Sequence, residues 1–119
     1  MSAVNLSRSS IGRQMLSSDM LEKEFRFSLL VNAGDYFGEK AEGEDMLLQG
    51  IIDCFFIKDG ELTILDYKTD KVTPEEAPRR AKSYIPQLRV YGEALKKILG
   101  CEPRHKYIYF LSCGQLIEV

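Results

Sequence analysis

Gly50-Ile51-Ile52-Asp53-Cys54-Phe55-Phe56-Ile57-Lys58-Asp59-Gly60-Glu61-Leu62-Thr63-Ile64-Leu65-Asp66-Tyr67-Lys68-Thr69 is a pair of apolar runs around an Asp-Gly dipeptide. Runs rich in Ile, Phe and Leu read as strands, and Asp-Gly between them reads as a two-residue hairpin turn. With Asp59 and Gly60 at the centre of that turn, Lys58 faces Glu61, Asp53 faces Asp66, and Ile51 faces Lys68. Side chains alternate along a strand, so one face carries Ile51, Asp53, Phe55 and Ile57 together with Leu62, Ile64, Asp66 and Lys68. Near the turn this face is apolar. At its open end it holds two acids and a lysine.

Cβ atoms of directly opposed residues lie about 4.5–5.5 Å apart, and like charges at that distance destabilise the pair. A divalent cation compensates for them. Mg²⁺ binds carboxylate oxygens at about 2.0–2.1 Å and keeps waters that a phosphate can share or displace. Lys68, two residues beyond Asp66 on the same face, can then reach a scissile phosphate or an attacking water, a workable phosphodiester-hydrolysing arrangement. Taken alone, the aspartates read first as a surface ion pair with Lys68, and a three-residue bulged loop would shift the register. Both alternatives stay open at this point.

Outward from the hairpin, Ser9 to Ser17 reads as a short helix capped by Ser9 or Ser10. Leu21, Phe25, Phe27, Leu29 and Val31 fall on one side of a half-buried strand, and Met46 to Ile57 forms the first hairpin strand. Asn32 to Asp35 has turn chemistry, and Gly38 to Asp45 is a polar loop. Thr73-Pro74-Glu75-Glu76 is a capping-box helix start. Pro78 and Pro86 interrupt the helix running to about Leu99, so it is kinked or restarts near Ser83, with Gly100 as its C-cap. Lys106 to Leu111 reads as a strand lying parallel to the second hairpin strand, and Gln115 to Val119 as a last short strand.

On that helix Gln87 and Tyr91 are four residues apart and share a face, with Tyr84 one turn earlier. The tyrosines fit an ordinary core stripe, whereas Gln87 on its edge needs a buried polar partner or a ligand. Arg79, Arg80, Lys82 and Arg89 supply positive charge, either a solvated helix face or a phosphate-backbone contact.

The chain has 119 residues, 45% hydrophobic and 29% charged, which fits one globular domain and excludes wholesale disorder. No apolar run approaches the ~20 residues of a membrane span, and no secretory signal is expected, so no membrane partner and a cytoplasmic location are expected. Three cysteines without CxxC spacing, Cys54, Cys101 and Cys113, fit reduced thiols. The net charge of −2 conceals an asymmetry: residues 1–67 hold 6 Lys/Arg against 12 Asp/Glu, and residues 68–107 hold 10 against 5. An acidic half that suits a cation thus meets a basic half that suits phosphates beside Asp66 and Lys68.

Three segments in order, Gly50-Ile51-Ile52-Asp53, Asp66-Tyr67-Lys68-Thr69 and Gln87-Leu88-Arg89-Val90-Tyr91, resemble the GxxD, DYKT and QxxxY motifs of the RecB-type nuclease family, a branch of the PD-(D/E)xK nucleases. Leu47 to Gly50 and Tyr91 to Leu95 look most like the C-terminal nuclease domain of AddA-type helicase–nuclease large subunits. The resemblance covers roughly Ser9 to Val119. Arg26 stands where the family usually has proline.

The resemblance implies an α/β (α+β) restriction-endonuclease-like core, a central mixed sheet of about five strands flanked by helices. It implies a DNA exonuclease acting in double-strand-break repair and recombination. Asp53, Asp66 and the backbone carbonyl of Tyr67 would hold Mg²⁺, or alternatively Mn²⁺, and Lys68 would orient or activate the water. Gln87 and Tyr91 would position DNA or order the site, and Arg79, Arg80, Lys82 and Arg89 would contact DNA. No iron–sulfur cluster and no ATP site are expected here, and the second component of a two-subunit helicase–nuclease is an expected partner of the full-length protein. The family draws a further ligand from a histidine upstream of the first strand. The single histidine, His105, follows the QxxxY helix and does not match it. Residues 1–119 therefore read as one domain, the C-terminal part of a RecB-type nuclease domain without its upstream helical part. The alternative is a catalytically incomplete DNA-binding or subunit-docking module.

Overall fold

The computed structural model describes residues 10–119, and within them everything except the side chains of residues 36, 37 and 41. Ser9 as a cap lies outside these residues. Helix α1 (Ser10–Leu16) leads into strand β1 (Met20–Asn32), a one-turn helix α2 (Gly34–Phe37) and a 3₁₀ turn (Glu39–Ala41). Strands β2 (Asp45–Lys58) and β3 (Glu61–Lys68) follow, then helices α3 (Ala77–Lys82) and α4 (Ile85–Leu99), and strands β4 (Pro103–Phe110) and β5 (Gln115–Glu118).

The strands form one five-stranded sheet in the order β1-β2-β3-β4-β5. β4 lies parallel to β3, and the other neighbours are antiparallel. This is the mixed sheet expected from the sequence, with α3 and α4 as the crossover that a parallel β3–β4 pair requires. Asp59 and Gly60 both have positive φ, 51° and 81°, the backbone of a I′ hairpin turn.

The expected long helix is two helices. Pro86 has no amide hydrogen to donate to the Lys82 carbonyl, and its ring crowds that oxygen, so the helix stops at Lys82 and restarts at Ile85. The two hydrogen bonds of the capping box form, Thr73 N–H donating to Glu76 Oε1 at 2.9 Å and Glu76 N–H to Thr73 Oγ1 at 3.2 Å, but they close a turn, and the helix itself begins at Ala77 rather than at Pro74. Gly100 closes α4 in the left-handed conformation, φ 79°.

One sheet face packs on α3 and α4 through a cluster that includes Phe27, Val31, Leu48, Ile52, Phe55, Ile64, Leu88, Tyr91 and Leu95. The other face buries Cys54, Phe56, Leu65 and Tyr109 against Ile11 of α1. Even positions Leu48 and Ile52 of β2 thus share a face with odd position Phe55. The alternation slips at Asp53–Cys54. Opposite, Glu24 has φ 51° and no ladder partner, while Lys23↔Cys54 and Phe25↔Ile52 on either side pair normally. Each strand slips by one residue at the same level, so the register between them survives.

Two expectations change as a result. Ile51 does not share the helix-covered face with Phe55 and is exposed, while Ile52 is fully buried. Leu21 is exposed, and Met20 packs on the core in its place. The β2–β3 ladder follows the expected register from Lys58↔Glu61 to Cys54↔Leu65 and stops there, so Asp53 and Asp66 are not a ladder pair. Among the described residues no helix is long and apolar enough to cross a membrane.

Candidate active site

The slip at Asp53 decides how the acids meet. Beyond Cys54↔Leu65, Asp53 takes over the role of the missing ladder bond, and its Oδ2 accepts from the Tyr67 amide at 2.8 Å. Asp66 is 2% exposed and follows Leu62 and Ile64 on the helix-covered face. Burial, and then the adjacent Asp53 carboxyl, push Asp66 from 3.8 up to about 6; Lys68 pulls in the other direction. Asp66 Oδ2 lies 2.9 Å from Lys68 Nζ, yet no hydrogen bond of good geometry reaches this buried oxygen.

Lys68 ends β3 and is held from the crossover helices. Its Nζ donates to Gln87 Oε1 at 2.7 Å, and Gln87 Nε2 donates to Tyr91 Oη at 2.8 Å. Gln87 finds the buried polar partner its position requires. Gly50 explains how Tyr91 comes so close to β2. A Cβ on Gly50 would lie 3.2 Å from Tyr91 Cε1 and 3.1 Å from Phe27 Cζ, tight enough that the rings would have to shift to admit it.

Asp53, Asp66, Lys68, Gln87 and Tyr91 are therefore one connected cluster. Tyr67 contributes only its backbone there, because its ring packs edge-on to Tyr109 on the opposite sheet face. Arg80 is engaged: its Nη1 lies 2.9 Å from Asp70 Oδ2. Arg79 and Lys82 are exposed on α3. Arg89, two residues beyond Gln87, points to another side of α4 and lines a groove with Asp35, Met46, Leu48 and Pro86. His105 pairs with Glu118 at 2.7 Å on β4 and β5, apart from the cluster.

The sequence reading did not assign roles to Tyr84 and Asp70. Lys68 Nζ sits 4.1 Å from the centre of the Tyr84 ring, and Tyr84 Oη donates to Asp70 Oδ2 at 2.7 Å. The available signal was spacing: Tyr84 precedes Gln87 by three residues, and Asp70 follows Lys68 by two.

Asp53 and Asp66 fit a divalent cation. The donors are hard oxygens, one carboxylate oxygen is buried without a hydrogen bond, and Asp66 is disfavoured as an anion by burial and by its neighbour, which a cation would relieve. Among the described residues no group of three or more His, Cys, Asp or Glu side chains assembles, so a cation at Asp53 and Asp66 would take its remaining ligands from beyond these two carboxylates.

Sequence comparison agrees with this geometry. Residues 6–116 match the PD-(D/E)XK nuclease superfamily. The chain is 34% identical over 114 residues to an ATP-dependent helicase/nuclease subunit of Thermoanaerobacter sp. (strain X514), covering 93% of this chain and 9% of that protein. It is 37% identical over 117 residues to the helicase/nuclease subunit of the same name from Clostridium botulinum (strain Loch Maree / Type A3), covering 94% of this chain and 9% of the relative. The chain thus spans about a tenth of the length of these relatives. By the match over nearly its whole length, and with a five-stranded mixed sheet carrying the motif residues at one site, the chain belongs to the PD-(D/E)XK nuclease superfamily.

Proposed function

We propose that this domain is the metal-dependent deoxyribonuclease centre of a helicase–nuclease that trims DNA ends, as an exonuclease, in double-strand-break repair and recombination. The observation that carries the reading is the convergence of Asp53, the under-bonded Asp66 and Lys68 at the end of the β2–β3 ladder. Helicase activity and a partner subunit belong, in this reading, to the longer protein, consistent with relatives named as ATP-dependent helicase/nuclease subunits.

Asp53, Asp66 and the Tyr67 carbonyl are the residues that would hold Mg²⁺, with Mn²⁺ as an alternative. Bound there, the ion supplies Lewis-acid polarisation of the phosphate and a more acidic water. A cation held there would stabilise the ionised Asp66 carboxylate, which burial and Asp53 otherwise disfavour. Lys68 keeps its ammonium at the site and donates to the attacking water or to a non-bridging phosphate oxygen, where negative charge grows in the transition state. Gln87 holds Lys68 in that position and is itself held by Tyr91. Arg79, Lys82 and Arg89 offer sequence-independent contacts to the DNA backbone, which salt weakens.

The second reading is a DNA-binding or docking module without turnover. The two-carboxylate ligand set favours it. Calorimetric titration with Mg²⁺ and Mn²⁺ separates the two. The nuclease reading requires saturable binding that Asp53→Ala and Asp66→Asn abolish. A docking module needs no cation at this pair, and identical titrations for wild type and variants would sink the nuclease reading.

A further inference from the structure

Tyr84 lies outside the motif residues and packs, partly buried, against the edge of the core. It sits in the break between α3 and α4 that Pro86 creates. Its ring faces Lys68 Nζ at 4.1 Å. Its hydroxyl donates to both oxygens of Asp70, at 3.0 and 2.7 Å, and Arg80 Nη1 lies 2.9 Å from the same carboxylate. The Asp70 backbone is fixed in turn, because Ser112 Oγ donates to its carbonyl at 2.6 Å. A loop after β3, a helix break and the β4–β5 turn thus converge on one aromatic ring, and that ring carries one ammonium.

An ammonium has three donors and no acceptor. One donor of Lys68 goes to Gln87, and Asp66 lies at hydrogen-bonding distance from the nitrogen. An aromatic face attracts the cation through its quadrupole without a directed lone pair, so it fixes the position of the charge while leaving an N–H free. It also stays in place if Asp66 turns toward a cation and the Lys68–Asp66 contact loosens. We propose that Tyr84, clamped by Asp70 and Arg80, is a positioning residue for Lys68: its ring holds the ammonium over the site with one donor free for the phosphate or water. This rests on the nuclease reading of Lys68. It also assigns Arg80 to the clamp.

The test uses the metal-free 119-residue chain with isotope-labelled lysine, and Lys68→Arg identifies the resonance. A ring face at this distance shifts the Lys68 ε-methylene protons upfield of those of the other lysines. Tyr84→Leu removes that shift, while Tyr84→Phe and Asp70→Ala, which keep the ring and free it, reduce it. An unshifted Lys68 in wild type, or a shift that persists in Tyr84→Leu, overturns the clamp. If Tyr84→Leu does not fold, Asp70→Ala decides alone: a reduced shift supports the clamp and an unchanged one overturns it. In DNA cleavage Tyr84→Leu lowers kcat about tenfold with KM little changed, and Tyr84→Phe falls between. Cleavage that depends on Asp66 but ignores Tyr84→Leu removes the clamp alone. Cleavage indifferent to Asp66 removes the nuclease reading and leaves the NMR signature untouched.

Discussion

The Tyr67 amide donates to Asp53 Oδ2 at 2.8 Å, one residue beyond the last β2–β3 ladder pair, Cys54↔Leu65. A side chain replaces a main-chain carbonyl as the strands part. The same bond carries Asp53 toward Asp66, so the opening of the ladder and the pairing of the acids are one structural event.

Metal-free stability should fall as the pH rises through the Asp66 titration. The folded state pushes this carboxyl from 3.8 up to about 6. Between those values the native state binds more protons than the unfolded one, so the contribution is fully present below about 4 and lost above about 6. The loss is on the order of 2–3 kcal/mol. Denaturant melts between pH 4 and 7.5 check it: Asp66→Asn should flatten the fall and gain stability at pH 7.5 relative to wild type. Parallel pH profiles for the two proteins would refute the assignment.

Gly50→Ala should destabilise the fold by about 1–3 kcal/mol through overpacking, because its Cβ meets the rings of Phe27 and Tyr91 at 3.1 and 3.2 Å. The damage reaches the site, since Tyr91 holds Gln87. Thermal melts read the first effect. Side-chain amide NMR of Gln87 reads the second, and an unmoved Gln87 resonance would count against the coupling.

Thr73→Ala separates stability from chemistry. It removes one arm of a capping box on the exposed loop before α3 and should cost about 1 kcal/mol. A melt should show that loss while cation titration at the acids stays unchanged. Altered cation affinity would mean that the loop is more tightly linked to the site than its contacts indicate.

What the sequence made legible follows from local chemistry. Asp59-Gly60 can adopt the two positive φ values of a tight hairpin turn, and Thr73…Glu76 can cap itself, so the hairpin turn, the register near it and the capped turn before α3 were readable. The parallel β4 followed from the crossover. The motif residues came together because the hairpin and the helix facing it were placed correctly. The slip at Glu24 and Asp53 was hidden because two irregularities oppose each other and leave the register intact, while strict alternation misplaces Leu21 and Ile51. Tyr84 was hidden for another reason. At helical spacing an aromatic reads as core, and only the break at Pro86 turns this one toward Lys68.

Cleavage itself tests the central claim most directly. Single-stranded and duplex DNA, each incubated with the protein and Mg²⁺ or Mn²⁺, should be shortened by the wild type in a reaction that chelation stops. Asp66→Asn and Lys68→Met should each reduce the rate at least about a hundredfold, the scale expected when a group acting on transition-state charge is removed. Cleavage that continues without a divalent cation, or that both variants perform at the wild-type rate, would contradict a hydrolytic centre at Asp53, Asp66 and Lys68.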